Sequence, residues 1–471
     1  MKRRQQETSV PRFNSQGVGL RYPMYRCRTF SVLLAVLVLL AKAAYGYALS
    51  DQPTKARRAL RGALMSGFDD LDLMVRDDDF KTLRDNRPEF LRLVQESRES
   101  PSVKAPLLQR EASRLVRGGH YQEAVAKLRE SLSLLRETYS EEAHPDGHPK
   151  LANILNELGV VYKLSNQYDR AQEFLDQAFE MRKRLYPSRR FPNGHVDLAT
   201  SLNDMASLFR ARGDYPRAVD YFRQALEMKV RLYPARRHPN GHVNIATAMA
   251  NLATTLGDAG RASEAHDYYL QGLAMTRKIY ASPKYPDGHS RLVQALSSVG
   301  HSLRKQGQVA EAAAYAQQAL DMAQQLFPAA ENPGGHLLVA GCLNDLGLVL
   351  HRQGHLAKAE ERFRAAHAMF RTLYPGERGH LMLYYGLINL GDVARDRGSY
   401  VDAEQWYRKA REMQRGFYPE QRFPEGHPAM VQTLSKLAGV LERQNRLVEA
   451  LPLHEAALGI LQHFYPRSRY P

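Results

Sequence analysis

Seven Gly-His pairs are the first residues of this sequence that invite a chemical reading: Gly147/His148, Gly194/His195, Gly241/His242, Gly288/His289, Gly335/His336, Gly379/His380 and Gly426/His427. A row of imidazoles is the usual material of metal binding and proton sensing. The spacing argues against shared metal ligation. Successive pairs stand 47 residues apart, with a single step of 44. Copies of a repeated helical unit are separated by about 10 Å per helix layer, too far for neighbouring histidines to share one ion. The expected use is structural, with Gly turning a connector and His capping or packing against the next hairpin. The sequence has no G-x-S-x-G, no H-E-x-x-H and no G-x-x-x-x-G-K-[ST], so hydrolase, zincin and phosphate-loop chemistry have no carrier. Asp77, Asp78 and Asp79 are contiguous and lack the alternating oxygen ligands and turn glycine of a calcium loop. No catalytic residue, metal or cofactor is expected.

A second polar set has a spacing that binding could use: Asn156, Asn203, Asn251, Asn344 and Asn389. Each falls eight or nine residues after a Gly-His histidine. Ala250, Ser297/Ser298 and Ser435/Lys436 interrupt the row. An asparagine amide both donates and accepts, so it can hold a backbone without reading side chains.

The elements that position these residues follow from the repeat itself. Residues 191–234 read as two amphipathic helices joined by a tight turn, and self-similarity at a period of this size signals a solenoid. Small residues recur in register: Gly159, Ala206, Ala253, Gly300, Gly347, Gly391 and Ala438 in the first helix, then Ala171, Ala218, Ala265, Ala312, Ala359, Ala403 and Ala450 in the second. A third set comprises Ala178, Ala225, Gly272, Ala319, Ala366, Ala410 and Ala457. Small side chains let helix backbones approach closely. Between the helices stands Gly213, Gly260, Gly307, Gly354 or Gly398, replaced by Asn166 and Asn445, the residues that tolerate a left-handed helix end. Second helices of about 18 residues, about 27 Å long, end at an aromatic residue and usually a proline, as at Tyr186/Pro187 and Tyr233/Pro234. Tyr186, Tyr233, Tyr280 and Tyr374 are expected to wedge between repeats rather than to stack on bases.

The pattern resembles the tetratricopeptide repeat, in the lengthened form of kinesin light chains and many bacterial proteins. That form carries HP-x-x-A-x-x-L-N-N-L-A followed by G-x-Y-x-E-A. The matching stretches are HPKLANILNELG from His148, HVDLATSLNDMA from His195 and GHYQEAVAKLRESL from Gly119. The resemblance implies an all-α, right-handed superhelical solenoid of about eight helix-turn-helix repeats over residues 105–471. It also implies a non-enzymatic protein-interaction scaffold whose concave groove binds a partner peptide through Asn156, Asn203, Asn251, Asn344 and Asn389. The alternative is a structural spacer or self-assembling element without a peptide ligand. The unit is longer than the usual 34 residues and overlaps HEAT and armadillo lengths. The extra length lies in the connector and second helix, leaving the packing positions unchanged.

Composition bounds the remainder. Of a formal net charge of +16, residues 1–60 carry +9 through eleven Lys/Arg and two Asp/Glu. The repeats are of mixed sign, and no nucleic-acid partner is expected. Arg21, Arg26 and Arg28 precede an apolar run centred on SVLLAVLVLLA, and Gly46-Tyr47-Ala48 resembles a small-x-small cleavage site. Residues 1–49 therefore read as a signal peptide or an N-terminal membrane anchor through residues 30–49, with Met24 directly ahead of a conventional signal peptide. Either way the chain is expected to be exported across or anchored in the cytoplasmic membrane, with extracytoplasmic repeats. Residues 50–104 read as a short helical cap or linker. Cys27 and Cys342 form no disulfide framework if the first is removed or embedded.

Overall fold

The computed structural model describes residues 99–464 apart from 282, 377–379 and 422. The leader or anchor of residues 1–49, nearly all of the segment at 50–104, and Gly379 lie outside the described residues. Sixteen α-helices and one 3₁₀ turn, with no strand, follow one another among the described residues. In order they are α1 (Pro101–Arg117), α2 (Tyr121–Thr138), α3 (Pro149–Leu164), α4 (Tyr168–Leu185), α5 (Val196–Ala211) and α6 (Tyr215–Leu232). Next come α7 (Val243–Asp258), α8 (Ala262–Ile279), α9 (Ser290–Lys305), α10 (Val309–Leu326), α11 (Leu337–Arg352) and α12 (Leu356–Leu373). The series closes with α13 (Leu381–Asp396), α14 (Tyr400–Phe417), α15 (Val431–Arg443) and α16 (Leu447–Phe464). Taken two by two along the chain, the helices make up eight helix-turn-helix repeats. None of them is long and apolar enough to cross a membrane.

The chain divides into two compact units, residues 1–161 and 162–471, the division falling inside α3. In the first, Val103, Leu108 and Ala112 of α1 and Ala124, Leu128, Leu132 and Leu135 of α2 are buried. Ser131 Oγ donates to the Ala105 carbonyl at 3.0 Å, so the one buried hydroxyl in this interface is paired.

In the second unit each hairpin closes through its small residues. Ala206, Ala253 and Ala438 are fully buried, as are Ala218, Ala312, Ala359 and Ala403. Gly347 is filled by a neighbour: a Cβ there would stand 2.6 Å from the Phe363 ring. The turn between helices is left-handed in every described copy, with φ of +80° at Gly213 and +77° at Gly260. Asn166 and Asn445, at φ 61° and 62°, are the non-glycine residues of positive φ among the described residues. The two substitutions of Gly by Asn thus fall on the second-best residue for that conformation.

The connectors show what the Gly-His pairs do. His195 Nδ1 accepts the backbone N–H of Asp197 at 3.2 Å, and His242 accepts that of Asn244 in the same way. His289, His336, His380 and His427 repeat the arrangement, and so does His148 in the first unit. Each imidazole caps the helix that follows, satisfying one of its unpaired N–H groups. Each also stacks on the aromatic residue that ends the preceding helix, with centroids 3.6 Å apart for Tyr186–His195 and 3.7 Å for Tyr233–His242. The tyrosines expected as wedges therefore act mainly as platforms for capping histidines. The preceding glycine leaves room for a methionine, since a Cβ at Gly194 would stand 2.6 Å from Met228 Cγ.

Candidate functional site

In the second unit the odd-numbered helices α7, α9, α11 and α13 touch from one repeat to the next. Their polar residues bond from one repeat to the next. Asn251 Nδ2 on α7 donates to Asn203 Oδ1 on α5 at 2.9 Å. Asn389 Nδ2 on α13 donates to Asn344 Oδ1 on α11 at 2.8 Å. Four of the five asparagines are therefore held as two amide pairs. In each pair the acceptor asparagine keeps both N–H donors and the donor asparagine keeps its carbonyl for a further bond. Asn156 lies in the first unit on α3 and is buried, 8% exposed, whereas the other four are part-exposed.

Further rungs follow the same register. Lys163 Nζ donates to Ser207 Oγ at 2.7 Å, and Arg210 pairs with Asp258 at 2.7 Å. His351 meets Asp396 at 2.8 Å. Lys436 Nζ and the Tyr407 hydroxyl both donate to Asp392 at 2.6 Å. Burial and the Asp392 charge push the Tyr407 phenol well above its ordinary range.

Where Ser297 and Ser298 break the asparagine row, the helices leave a cavity of about 410 Å³ with polar groups in its lining. Short side chains at the site of an amide create this space. Tyr269 and Thr254 line it with their hydroxyls 2.8 Å apart, joined by the Arg210–Asp258 pair, His301, Lys305 and Asp345. Burial pushes the Asp345 carboxyl up to about 6, opposed by Arg304 and Ser297. Burial, then Arg304 and Lys305, push His301 down to about 4, and its Nδ1 meets an Arg304 guanidinium nitrogen at 3.2 Å. The cavity thus presents a carboxyl that is a weaker acid than usual, a neutral imidazole and two hydroxyls.

Sequence reading named the asparagines and missed His301 and Lys305. A signal for them existed, because they lie three to four and seven to eight residues past the asparagine position and so on the same helix face. Among the described residues no group of three His, Cys, Asp or Glu could hold a metal ion. Cys342 is buried beside Ser297, and burial pushes its thiol up to about 11, which makes it an inert core residue.

Family models described as tetratricopeptide repeat match residues 115–184 and 291–372, 198–240 and 245–284, and 344–416. The chain belongs to the tetratricopeptide repeat family. A tetratricopeptide array is a protein-interaction scaffold, its repeats stacked to expose an extended surface. No curated protein matches the chain. Similar solved structures include BtubC (BKLC) from P. vanneervenii, 19% identical, covering 53% of this chain and 92% of that one at a TM-score of 0.42. Kinesin light chain TPR-like repeats from Podosopora anserina are 18% identical, covering 49% and 99% at 0.39. The apo quorum sensor NprR from B. thuringiensis is 14% identical, covering 86% and 98% at 0.49.

Proposed function

We propose that the inner face of the second unit binds an extended peptide segment of a partner protein. The Asn203–Asn251 and Asn344–Asn389 pairs grip its backbone, and the cavity at Ser297 and Ser298 receives one of its side chains. The observation that carries this reading is that two amide pairs, held in fixed orientation by their mutual bonds, precede and follow in repeat order the cavity at Ser297 and Ser298. Orientation before binding lowers the ordering cost of the complex. Selection from a displayed library of random peptides, followed by titration, tests it. Selected peptides are expected to lose at least tenfold in affinity on Asn251→Ala combined with Asn344→Ala, while the thermal melt stays cooperative. Absence of selected peptides, or equal binding by the variant, defeats the reading.

A second reading rests on α16, where Leu447, Val448 and Leu451 are 59%, 89% and 59% exposed. Here the array associates with another copy through its last helix and carries no peptide. Sedimentation of Val448→Glu/Leu451→Glu against the parent chain separates the two readings, since only self-association is lost on that change.

The basic, then apolar, leader supports export or anchoring of the chain. N-terminal sequencing of the mature protein from membrane and envelope fractions checks this, with a start near residue 49 expected if the leader is cleaved.

A further inference from the structure

One connector differs from the rest. Tyr374 and His380 are six residues apart, whereas the other aromatic-to-histidine connectors, such as Tyr186 to His195, span nine. Beside the short one, α12, α13 and α14 leave a cavity of about 770 Å³, within the range of small-molecule sites. Leu383 and Leu387, both buried, give it an apolar floor. Trp406, the one tryptophan of the chain, forms a wall. The Arg364 guanidinium lies 5.6 Å and the Lys409 ammonium 4.8 Å from its ring centre. Arg371, Lys409 and His367 line the cavity against one carboxylate, Glu412.

The repeat supplies its own control. The position of His367 is held by Leu132, Phe179, Leu226, Leu273, Leu320 and Leu458 in other copies, and by Arg411 in the next. Two consecutive repeats thus carry a basic residue where the others carry a large apolar one. His367 Nδ1 and Arg411 Nε are shut off from solvent and make no hydrogen bond, a condition that buried polar atoms seldom keep. Burial, then Arg371 and Lys409, hold His367 below the usual imidazole range, with the Leu383 carbonyl opposing. Room for the imidazole comes from Gly386, where a Cβ would stand 2.9 Å from Nδ1. Other copies carry Ile154, Ser201, Ala248, Ala295, Cys342 or Thr433 at that place.

The geometry points to a binding site for a small organic anion with a flat apolar body. The body lies against Trp406 and the two leucines, and the anionic group turns toward Arg371 and Lys409, with the neutral His367 imidazole beside them. Charge and shape both select for it, since aromatic faces and a cationic rim are each poor partners for a neutral polar molecule. This site is separate from the inner face proposed to hold peptide, and neither reading depends on the other.

Calorimetric titration of the full chain with 2-naphthoate, using neutral 2-naphthamide as the control, tests the assignment. The emission of Trp406 reports whether the probe sits beside it. Saturable binding of the naphthoate is expected, with at least tenfold weaker binding of the amide. Arg371→Gln/Lys409→Gln is expected to lose at least tenfold. His367→Leu, which restores the residue of the other copies, is expected to weaken binding while keeping or raising the melting temperature. Asn251→Ala should leave naphthoate binding unchanged. Equal affinity for the two probes, no saturable binding, or unaltered binding by the Arg371→Gln/Lys409→Gln variant overturns the proposal.

Discussion

A neutral imidazole is what the connector requires, because Nδ1 can accept a backbone N–H only while it carries no proton. Burial holds His148, His242, His289, His336, His380 and His427 below the ordinary imidazole pKa. The unfolded chain therefore takes up protons first as pH falls below about 6.5, so the caps contribute fully above that value and are lost as pH drops through the lower folded values. Urea midpoints are expected to fall between pH 7.5 and pH 5, and His289→Gln to flatten that dependence. At neutral pH His242→Ala should cost about 1 kcal/mol, the scale of a lost cap, measured by denaturant unfolding. Asp345 has the opposite sign. Burial raises its folded pKa to about 6, against an ordinary aspartate value of 3.8, so it destabilises the fold above pH 6 and the penalty fades as pH falls toward 4. Asp345→Asn is expected to raise Tm at pH 7.5 by a few degrees, with the gain shrinking at pH 4 in calorimetry. A carboxylate kept at such a cost is consistent with a binding role.

Within a hairpin, the turn and the small positions fail in different ways. At Gly260, φ is +77° and a Cβ would meet nothing within 4 Å. Gly260→Ala therefore isolates the backbone penalty, about 1–2 kcal/mol, in a urea titration. At Gly391 the backbone is helical, and a Cβ would run into the Tyr407 ring, which is fully buried and bonded to Asp392. Gly391→Ala should cost more than Gly260→Ala despite the better helix propensity of alanine, because a packed ring must move. Both kinds of position were legible in the sequence, since a required left-handed turn and a required close approach each restrict residue choice in every copy. The histidine caps were half legible: the period excluded shared metal ligation, but stacking on the aromatic helix end appears only when the connector closes.

At the scale of the second unit, an array of this kind gains stability from intrinsic repeat terms and nearest-neighbour interfaces. The rungs Asn203–Asn251, Arg210–Asp258 and Asn344–Asn389 lie in those interfaces. Part of the expected ligand-binding face is thus also structural, and Asn251→Ala should cost about 0.5–1.5 kcal/mol of stability as well as peptide affinity. The apolar residues Leu447, Val448 and Leu451 are exposed on α16, the last helix among the described residues. Val448→Glu/Leu451→Glu is expected to leave the melt of the unit cooperative and to change only concentration-dependent association.

The sequence alone determined the helix pairs, their number, their turns and the family, because each depends on residue types that recur at fixed intervals and act within one repeat. The asparagine row was visible for the same reason, although its pairing was not. Tertiary structure decided what happens where copies differ. Ser297 and Ser298 open a cavity only because α7, α9 and α11 surround them, and only the packing of α14 brings Trp406 and Lys409 into the same cavity as His367. Repetition can be read along the chain, whereas a departure from it acquires meaning from neighbours about 45 residues away.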